Sequence, residues 1–440
     1  MLHSTPMPTY CAFLGHQPHI SLAELCVLLP DIQVQKQWNQ QIITFETEEE
    51  LDGSWLRNVG GTVLVAQELA SYPAGSRGGK EALENLIRPI LLTQITKSAG
   101  GGPRNASRKA VFSFRCFSIP RSDIRALYRS CKQYLKSKGM HSRYIGSERE
   151  AAKPGTLLLR GIPGPGCSEL VILHDEARKS IWIGATCAVQ DITAYTQRDM
   201  GKPFRDMRTG LLPPKLAQVM LNFGLLVLPN PNPNPKTRDQ SHRQNTWENI
   251  TIWDPFCGSG VIAMEALLRR AHVLASDKSE RAVKGCERNL TWLREREKTP
   301  RAISHHVWKR NALKPGDLPR TPALIVTETS LGPPLRDLPT KRDVAALMRE
   351  AEELETAFFT AMAHACPEMP VVCIFPVYIT RDGERHFLPK IFETIQKLGY
   401  RLTFPGNKHI AFTSRHTLLY LRPDQHVGRE IACLLPPRKK

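Results

Sequence analysis

A chain of 440 residues is too long for one ordinary core and is expected to divide into two or three domains. Its apolar content of 41% supports packed cores and argues against global disorder, while no stretch approaches the roughly 18–20 apolar residues that span a bilayer. The net charge of +18 is uneven: residues 101–150 carry twelve basic and three acidic side chains, whereas residues 1–50 sum to −5. A concentrated basic segment points to a polyanion, most simply nucleic acid; the bland alternative is a solvated basic face with no partner.

In chain order, the first expected strand is Tyr10–Leu14. Ser21-Leu22-Ala23-Glu24 reads as a capping box opening a helix that runs to about Leu29, before Pro30. Strand-like runs follow at Gln41–Phe45 and Thr62–Leu69, then a helix from Lys80 to about Thr96, together suggesting a small α+β domain. The Gly- and Ser-rich stretch Ser98–Ser107 reads as a loop to the next module.

That module opens with the strand Val111–Phe117. Ser122 is expected to cap a helix whose apolar face is Ile124, Leu127, Tyr128, Cys131 and Leu135. Arg125, Arg129, Lys132 and Lys136 interleave on the opposite face and are the candidate RNA-binding residues. Any surface helix shows a polar face opposite its core stripe, so the helix alone decides nothing. Leu157–Arg160, Glu169–His174 and Ser180–Ala185 read as further strands. Leu211–Leu228 is an expected helix. The alternating prolines between Pro229 and Trp247 then mark an exposed, stiff loop before the strand Ile250–Trp253.

Chemistry concentrates in Trp253-Asp254-Pro255-Phe256-Cys257-Gly258-Ser259-Gly260. It follows a short β run and opens the apolar helix Val261–Arg270, so two glycines bring backbone and helix-terminal N–H groups close to a ligand. A second strand, His272–Ser276, ends at Asp277, whose carboxylate is placed to accept from ribose hydroxyls. Ser279 is expected to cap the next helix. The third glycine of a dinucleotide fingerprint is absent, Ala263 standing there. The plain structural alternative is an ordinary strand–turn–helix of a doubly wound sheet.

The pattern resembles the first motif of Rossmann-fold methyltransferases acting on nucleobase amino groups. The likeness extends through Val189-Gln190-Asp191-Ile192, Arg198-Asp199-Met200-Gly201-Lys202-Pro203 and Leu212-Pro213-Pro214-Lys215-Leu216-Ala217. It reaches Leu14-Gly15 and Ser21–Leu25 near one end. At the other end it includes Tyr420, Arg422-Pro423-Asp424-Gln425 and Val427-Gly428-Arg429-Glu430. These stretches are similar to the tRNA guanosine-10 N2-methyltransferase family of archaea and eukaryotes and its bacterial relatives. The resemblance implies an α/β chain: a C-terminal Rossmann-fold domain with a mostly parallel sheet (191–440), after α+β ferredoxin-like (1–105) and THUMP-like RNA-binding (106–190) domains. It implies S-adenosylmethionine as cofactor and tRNA as partner. The cofactor contacts it assigns are Asp254, Phe256, Gly258, Gly260, Asp277, Lys278, Asn311, Ala312 and Pro214. Asn311 stands where an acidic residue usually meets the adenine amino group, and an amide oxygen can accept there; asparagine at a strand end is equally a common turn residue.

The catalytic position departs from the family. Pro322–Val326 reads as a buried strand, tipped by Thr327-Glu328-Thr329-Ser330-Leu331-Gly332-Pro333-Pro334. The family has Asp or Asn, two prolines, then Tyr or Phe, which orient the amine and stack the flipped base. Here Glu328 supplies an acceptor, Thr329 and Ser330 replace the prolines, and Leu331 replaces the ring. The register Gly332-Pro333-Pro334-Leu335 keeps the prolines without acid or ring. Glu328, with Thr329 and Ser330, is the preferred candidate because ligands gather at strand tips.

No metal is expected: the fourteen histidines include His305-His306 but no helical H-x-x-x-H set. Eleven scattered cysteines without a C-x-x-C pair, and a polar start from Met1 to Tyr10, fit a cytoplasmic or similarly reducing compartment. Two other readings stay open: an RNA-binding protein that keeps the cofactor pocket without turnover, and an amino-methyltransferase acting on DNA.

Overall fold

The computed structural model describes residues 7–72, 79–98, 109–206, 211–229, 247–314, 316–423 and 425–438. Most of the expected loops at Ser98–Ser107 and in the proline-rich run lie outside them. The chain forms two compact units: Met1–Pro18 with Leu29–Arg57 and Thr62–Ala194, and His19–Leu28 with Asn58–Gly61 and Tyr195–Lys440.

The first unit is built on one sheet. Its strands are β1 (Thr9–Leu14), β2 (Gln33–Gln37), β3 (Ile42–Glu46), β4 (Thr62–Tyr72), β5 (Ala110–Phe117), β6 (Ser142–Ile145), β7 (Cys167–Asp175) and β8 (Ser180–Val189). Their spatial order is β2-β3-β1-β4-β8-β7-β5-β6. The first four, with α1 (Pro18–Leu28) and α2 (Gly53–Leu56) between them in sequence, run βαββαβ, the ferredoxin-like pattern. The pairing of β4 with β8 carries the sheet across residue 105, so both expected N-terminal modules share it. Helices α3 (Gly79–Ser98) and α4 (Arg121–Ser137) cover one face with Leu83, Ile87, Leu91, Leu127, Cys131 and Leu135. The other face buries Val171, Leu173, Trp182 and Leu157. A sheet covered on both sides explains the continuous apolar runs of β7 and β8.

Three local expectations need correction, and one strand went unforeseen. Leu157–Arg160 is not a strand: Pro154 occupies the first turn of the short helix α5 (Pro154–Leu159), a position where its fixed φ and missing N–H suit a helix start. Strand β2 escaped notice because QVQKQ alternates with polar rather than β-branched residues. Ser122 is not a cap; α4 begins after Pro120 without a side-chain cap, and the Ser122 hydroxyl donates to Asp123 instead. Ser21 and Glu24 form no capping box, because α1 already starts at Pro18 and both are buried inside it. Glu24 instead accepts from Gly60 N (2.9 Å), Gly61 N (2.7 Å) and Asn222 Nδ2 (2.6 Å). Ser21 lies so close to Gly61 that a Cβ added there would meet its Oγ at 2.7 Å.

The second unit is a doubly wound sheet. Its strands are β9 (Thr251–Asp254), β10 (His272–Asp277), β11 (His305–Lys309), β12 (Leu324–Glu328), β13 (Val371–Ile379), β14 (Arg385–Phe387), β15 (Arg401–Leu402), β16 (Leu418–Tyr420) and β17 (Val427–Leu435). The order is β11-β10-β9-β12-β13-β17-β15, with β14 on β13 and β16 on β17. The five strands from β11 to β13 are parallel, and β17 enters antiparallel to β13. Its helices include α6 (Ile192–Met200, from Tyr195 onward), α7 (Pro214–Val227), α8 (Val261–Leu268), α9 (Glu280–Glu297), α10 (Lys341–Ala365) and α11 (Ile391–Lys397). Trp253, Ile325, Phe358, Phe359, Phe375 and Leu434 form the centre of its core. Strand order reverses between β9 and β12, so their C-terminal tips flank the crevice where open α/β sheets bind ligands. Among the described residues no helix is long and apolar enough to cross a membrane.

Candidate active site

The turn after β9 is set by two glycines. Gly258 has φ +49° and Gly260 φ +80°, left-handed values that a side chain disfavours. A Cβ on Gly260 would also come 2.6 Å from Cys286 Sγ on α9, whereas a Cβ on Gly258 would meet no atom within 4 Å. The turn therefore packs tightly at Gly260 and opens at Gly258. Three bonds fix it: Cys257 N donates to Ser276 O (3.0 Å), Gly258 N to the Asp277 carboxylate (3.1 Å), and Asn289 Nδ2 to Ser259 O (2.8 Å). Asn289 also exchanges hydrogen bonds with both backbone groups of Phe204, tying the Lys202-Pro203-Phe204 segment to α9.

Asp254, at the tip of β9, is 3% exposed. It accepts from Thr327 Oγ1 (2.7 Å) and Phe256 N (3.2 Å). Burial pushes its carboxyl up to about 7; those two bonds oppose the rise, and the charges of Asp277 and Glu328 add to it. Asp277, at the tip of β10, is half-buried and accepts from Gly258 N and Ser279 N. Ser279 caps α9, accepting from Ala282 N, as expected.

Glu328 ends β12, on the other side of the crevice. Its Oε1 accepts from Arg429 Nε at 2.6 Å; the side chains are 13% and 3% exposed. Burial raises the Glu328 carboxyl above its ordinary range, and Arg429 opposes that rise. Thr329 is buried and donates to Ile374 O (2.8 Å), while Ser330 is exposed and its Oγ accepts from Gly332 N (3.4 Å). Behind Thr329, α10 places Glu355, wholly buried, with no partner at hydrogen-bond geometry on either oxygen among the described residues. Burial pushes that carboxyl up to about 8, the nearby Thr329 hydroxyl moderating the rise.

The sequence-predicted residues divide accordingly. Asp254, Gly258, Gly260, Asp277 and Glu328 lie at neighbouring strand tips and their turns. Phe256 joins the core, its ring edge-on to Phe358 at 5.2 Å. Lys278 is exposed beside Asp277. Asn311 sits in a local turn, its Oδ1 accepting from Leu313 N (3.0 Å) and keeping one lone pair for a further donor. Ala312 is buried in the core, and Pro214 is buried at the first turn of α7, next to Lys215, which lies against Gly60. On α4, Arg129, Lys132 and Lys136 are exposed, and Arg125 pairs with Glu148 at 2.7 Å. Sequence reasoning missed Thr327, Arg429 and Glu355 as parts of this neighbourhood. Arg429 lies 101 residues from Glu328, and only the pairing of β17 with β13 brings the two together.

Residues 241–359 match the family model described as conserved hypothetical protein 95. No curated protein matches this sequence. Among solved structures, TrmN from Thermus thermophilus is similar over 97% of this chain and 99% of its own, at 12% identity and a TM-score of 0.51. A possible methylase from Clostridium difficile 630 is similar over 99% of this chain and 100% of its own, at 11% identity and a TM-score of 0.46. The first likeness shows a shared fold, and the second adds nothing to it. The chain has a Rossmann-like α/β fold that it shares with TrmN.

Proposed function

We propose that the protein is an S-adenosylmethionine-dependent tRNA methyltransferase that forms N2-methylguanosine. The observation that carries this reading is the crevice where a left-handed glycine turn, Asp254 and Asp277 face the Glu328 strand tip. The residues fit the cofactor: Gly258 leaves open space before the turn, and Asp277 is half-buried at the position suited to ribose hydroxyls. When bound, S-adenosylmethionine supplies a methyl group activated on a sulfonium sulfur, so the chain need not activate the donor. Asp254, Gly258 and Gly260 would shape the methionine end of the pocket, and Asp277 would hold the ribose. Glu328 would accept an N–H of the guanine amine, with backbone groups of Thr329 and Ser330 beside it, aligning the nitrogen lone pair.

The exposed cations of α4 support RNA as the partner, in a segment resembling a THUMP domain. The fold of TrmN from Thermus thermophilus is shared over nearly the whole chain. The domain reading, ferredoxin-like 1–105, THUMP-like 106–190 and methyltransferase 191–440, belongs to this proposal. A binding-only protein is the second reading, favoured by Thr329 and Ser330 standing in place of two prolines.

The test is transfer of labelled methyl groups to unmodified tRNA, followed by nucleoside mass spectrometry. N2-methylguanosine is the expected product. Glu328→Ala should lower transfer far more than it lowers binding of cofactor or tRNA, the pattern of an interaction used mainly in the transition state. Equal transfer by both proteins would remove Glu328 from the site. Binding of cofactor and tRNA without any transfer would favour the second reading.

A further inference from the structure

We propose that Arg429 is a positioning residue that holds Glu328 as an ionised, singly oriented acceptor for the target amine. The inference rests on the role given to Glu328 above.

Sheet register explains how the two residues meet. Glu328 pairs with Ile374 and Arg429 with Pro376 on the intervening strand β13. Ile374 and Pro376 are two residues apart, so their side chains leave the same face, and in-register neighbours share it. Arg429 thus reaches across β13 to the tip of β12, and the 2.6 Å Nε–Oε1 bond fixes the carboxylate plane. Its far side is held as well. The Tyr420 ring lies 6.0 Å from the guanidinium carbon, and Gln425, with its amide oxygen turned inward, accepts from Arg429 Nη1 at 2.9 Å.

An ionised carboxylate accepts hydrogen bonds at about four lone-pair sites, and Arg429 Nε uses one. Acceptor capacity therefore remains for an amine N–H. A neutral Glu328 would carry a proton of its own, and burial favours that form. The titratable groups around it are Arg429 from β17 and Asp254 from β9, with Asp277 of β10 next to Asp254 and Glu355 of α10 behind Thr329. Arg429 is the cation among them and the group that opposes the effect of burial. As the amine nitrogen bonded the methyl carbon, the carbon–sulfur bond of the bound sulfonium would break to leave a neutral thioether, and the nitrogen would shed one proton. The Glu328 carboxylate receives that proton and passes it to solvent.

The experiment compares full-length wild type, Arg429→Gln, Arg429→Lys and Glu328→Gln. Methyl transfer at saturating cofactor and tRNA is measured across pH 5.5 to 9.5. In Arg429→Gln the acidic limb of kcat should move up by about one pH unit or more, a tenfold loss or greater on that limb that alkali recovers. KM for tRNA should change little, and Arg429→Lys should restore part of the profile. Urea unfolding gives a second readout. With Arg429 removed, the folded-state carboxyl of Glu328 rises further above its unfolded value, so stability should fall as pH rises between the two. Glu355 and Asp254 leave a fall of their own in every variant, so the readout is the difference: Arg429→Gln should lose more stability across that window than the Arg429→Gln/Glu328→Gln double variant. A wild-type pH profile in Arg429→Gln, with no Glu328-dependent change in unfolding, overturns the proposal. If wild type binds both substrates yet never transfers, the functional reading fails instead, and the unfolding series still decides whether Arg429 keeps Glu328 charged.

Discussion

Glu355→Gln replaces a wholly buried carboxyl on α10 with an amide of the same shape. Burial has lifted the Glu355 carboxyl from an ordinary 4.5 to about 8. At roughly 1.36 kcal/mol per pH unit, that rise corresponds to about 5 kcal/mol. The sign follows from proton counts. Between pH 4.5 and 8 the folded protein holds a proton that the unfolded chain has released, so wild-type stability falls as pH rises through that window. At pH 7 roughly 3 kcal/mol of the loss is already present, and the remainder follows by about pH 8.5. Glutamine does not titrate and lacks this fall.

The amide brings its own cost, because neither Glu355 oxygen finds a partner among the described residues and the substituted NH2 group would inherit that surrounding. An unsatisfied buried polar group costs about 1–3 kcal/mol, but this cost does not vary with pH. The informative quantity is therefore the slope of the difference between the two proteins. Urea denaturation of the C-terminal unit at pH 5, 7 and 8.5 should show Glu355→Gln gaining on wild type by several kcal/mol from the first pH to the last. A difference that stays constant across that range would mean that Glu355 is ionised in the folded protein, and the burial argument would fail.

Two other outcomes are expected. Asp277→Ala should weaken S-adenosylmethionine binding by about 1–3 kcal/mol in calorimetry, the loss of charge-assisted bonds to a polar ligand; undiminished binding would remove the ribose assignment. Changing Arg125, Arg129, Lys132 and Lys136 to Glu should reduce tRNA affinity and flatten its salt dependence while cofactor binding persists. Affinity unmoved by both salt and charge reversal would make α4 an ordinary solvated face.

The parts of the second unit that depend on local chemistry were readable. The strand, left-handed turn and helix from Thr251 to Leu268, the acid ending β10 and the Ser279 cap all follow from glycine conformation, apolar runs and capping. What escaped depends on distant partners. Ser21 and Glu24 carry a capping signature, yet Glu24 serves three donors from Gly60, Gly61 and Asn222, which no local pattern reveals. Leu157–Leu159 has the apolarity of a strand, but Pro154 starts a helix there, and Leu159 ends up exposed. Asn311 reads as ligand or turn from the sequence, and its bond to Leu313 N is compatible with both.

The strand tip shows how a turn can be held without the family's two prolines. Prolines stiffen a turn by removing backbone freedom before folding. Here side chains on three consecutive residues anchor it instead. Thr327 donates to Asp254, Glu328 bonds Arg429, and Thr329 donates to Ile374 O. Each neutral bond contributes about 1 kcal/mol and the charged one about 1.5–3 kcal/mol, enough in sum to fix a short turn. The arrangement also separates the two candidate registers. Through Thr327 the Glu328 register is tied to Asp254, the acid at the tip of the neighbouring central strand. Gly332, with φ +86°, lies four residues further on, exposed, where an added Cβ would come 3.2 Å from the Tyr378 hydroxyl. Pro333 and Pro334 therefore stiffen the exit from the turn, while Glu328 is the side chain that stands beside Asp254 and the glycine turn.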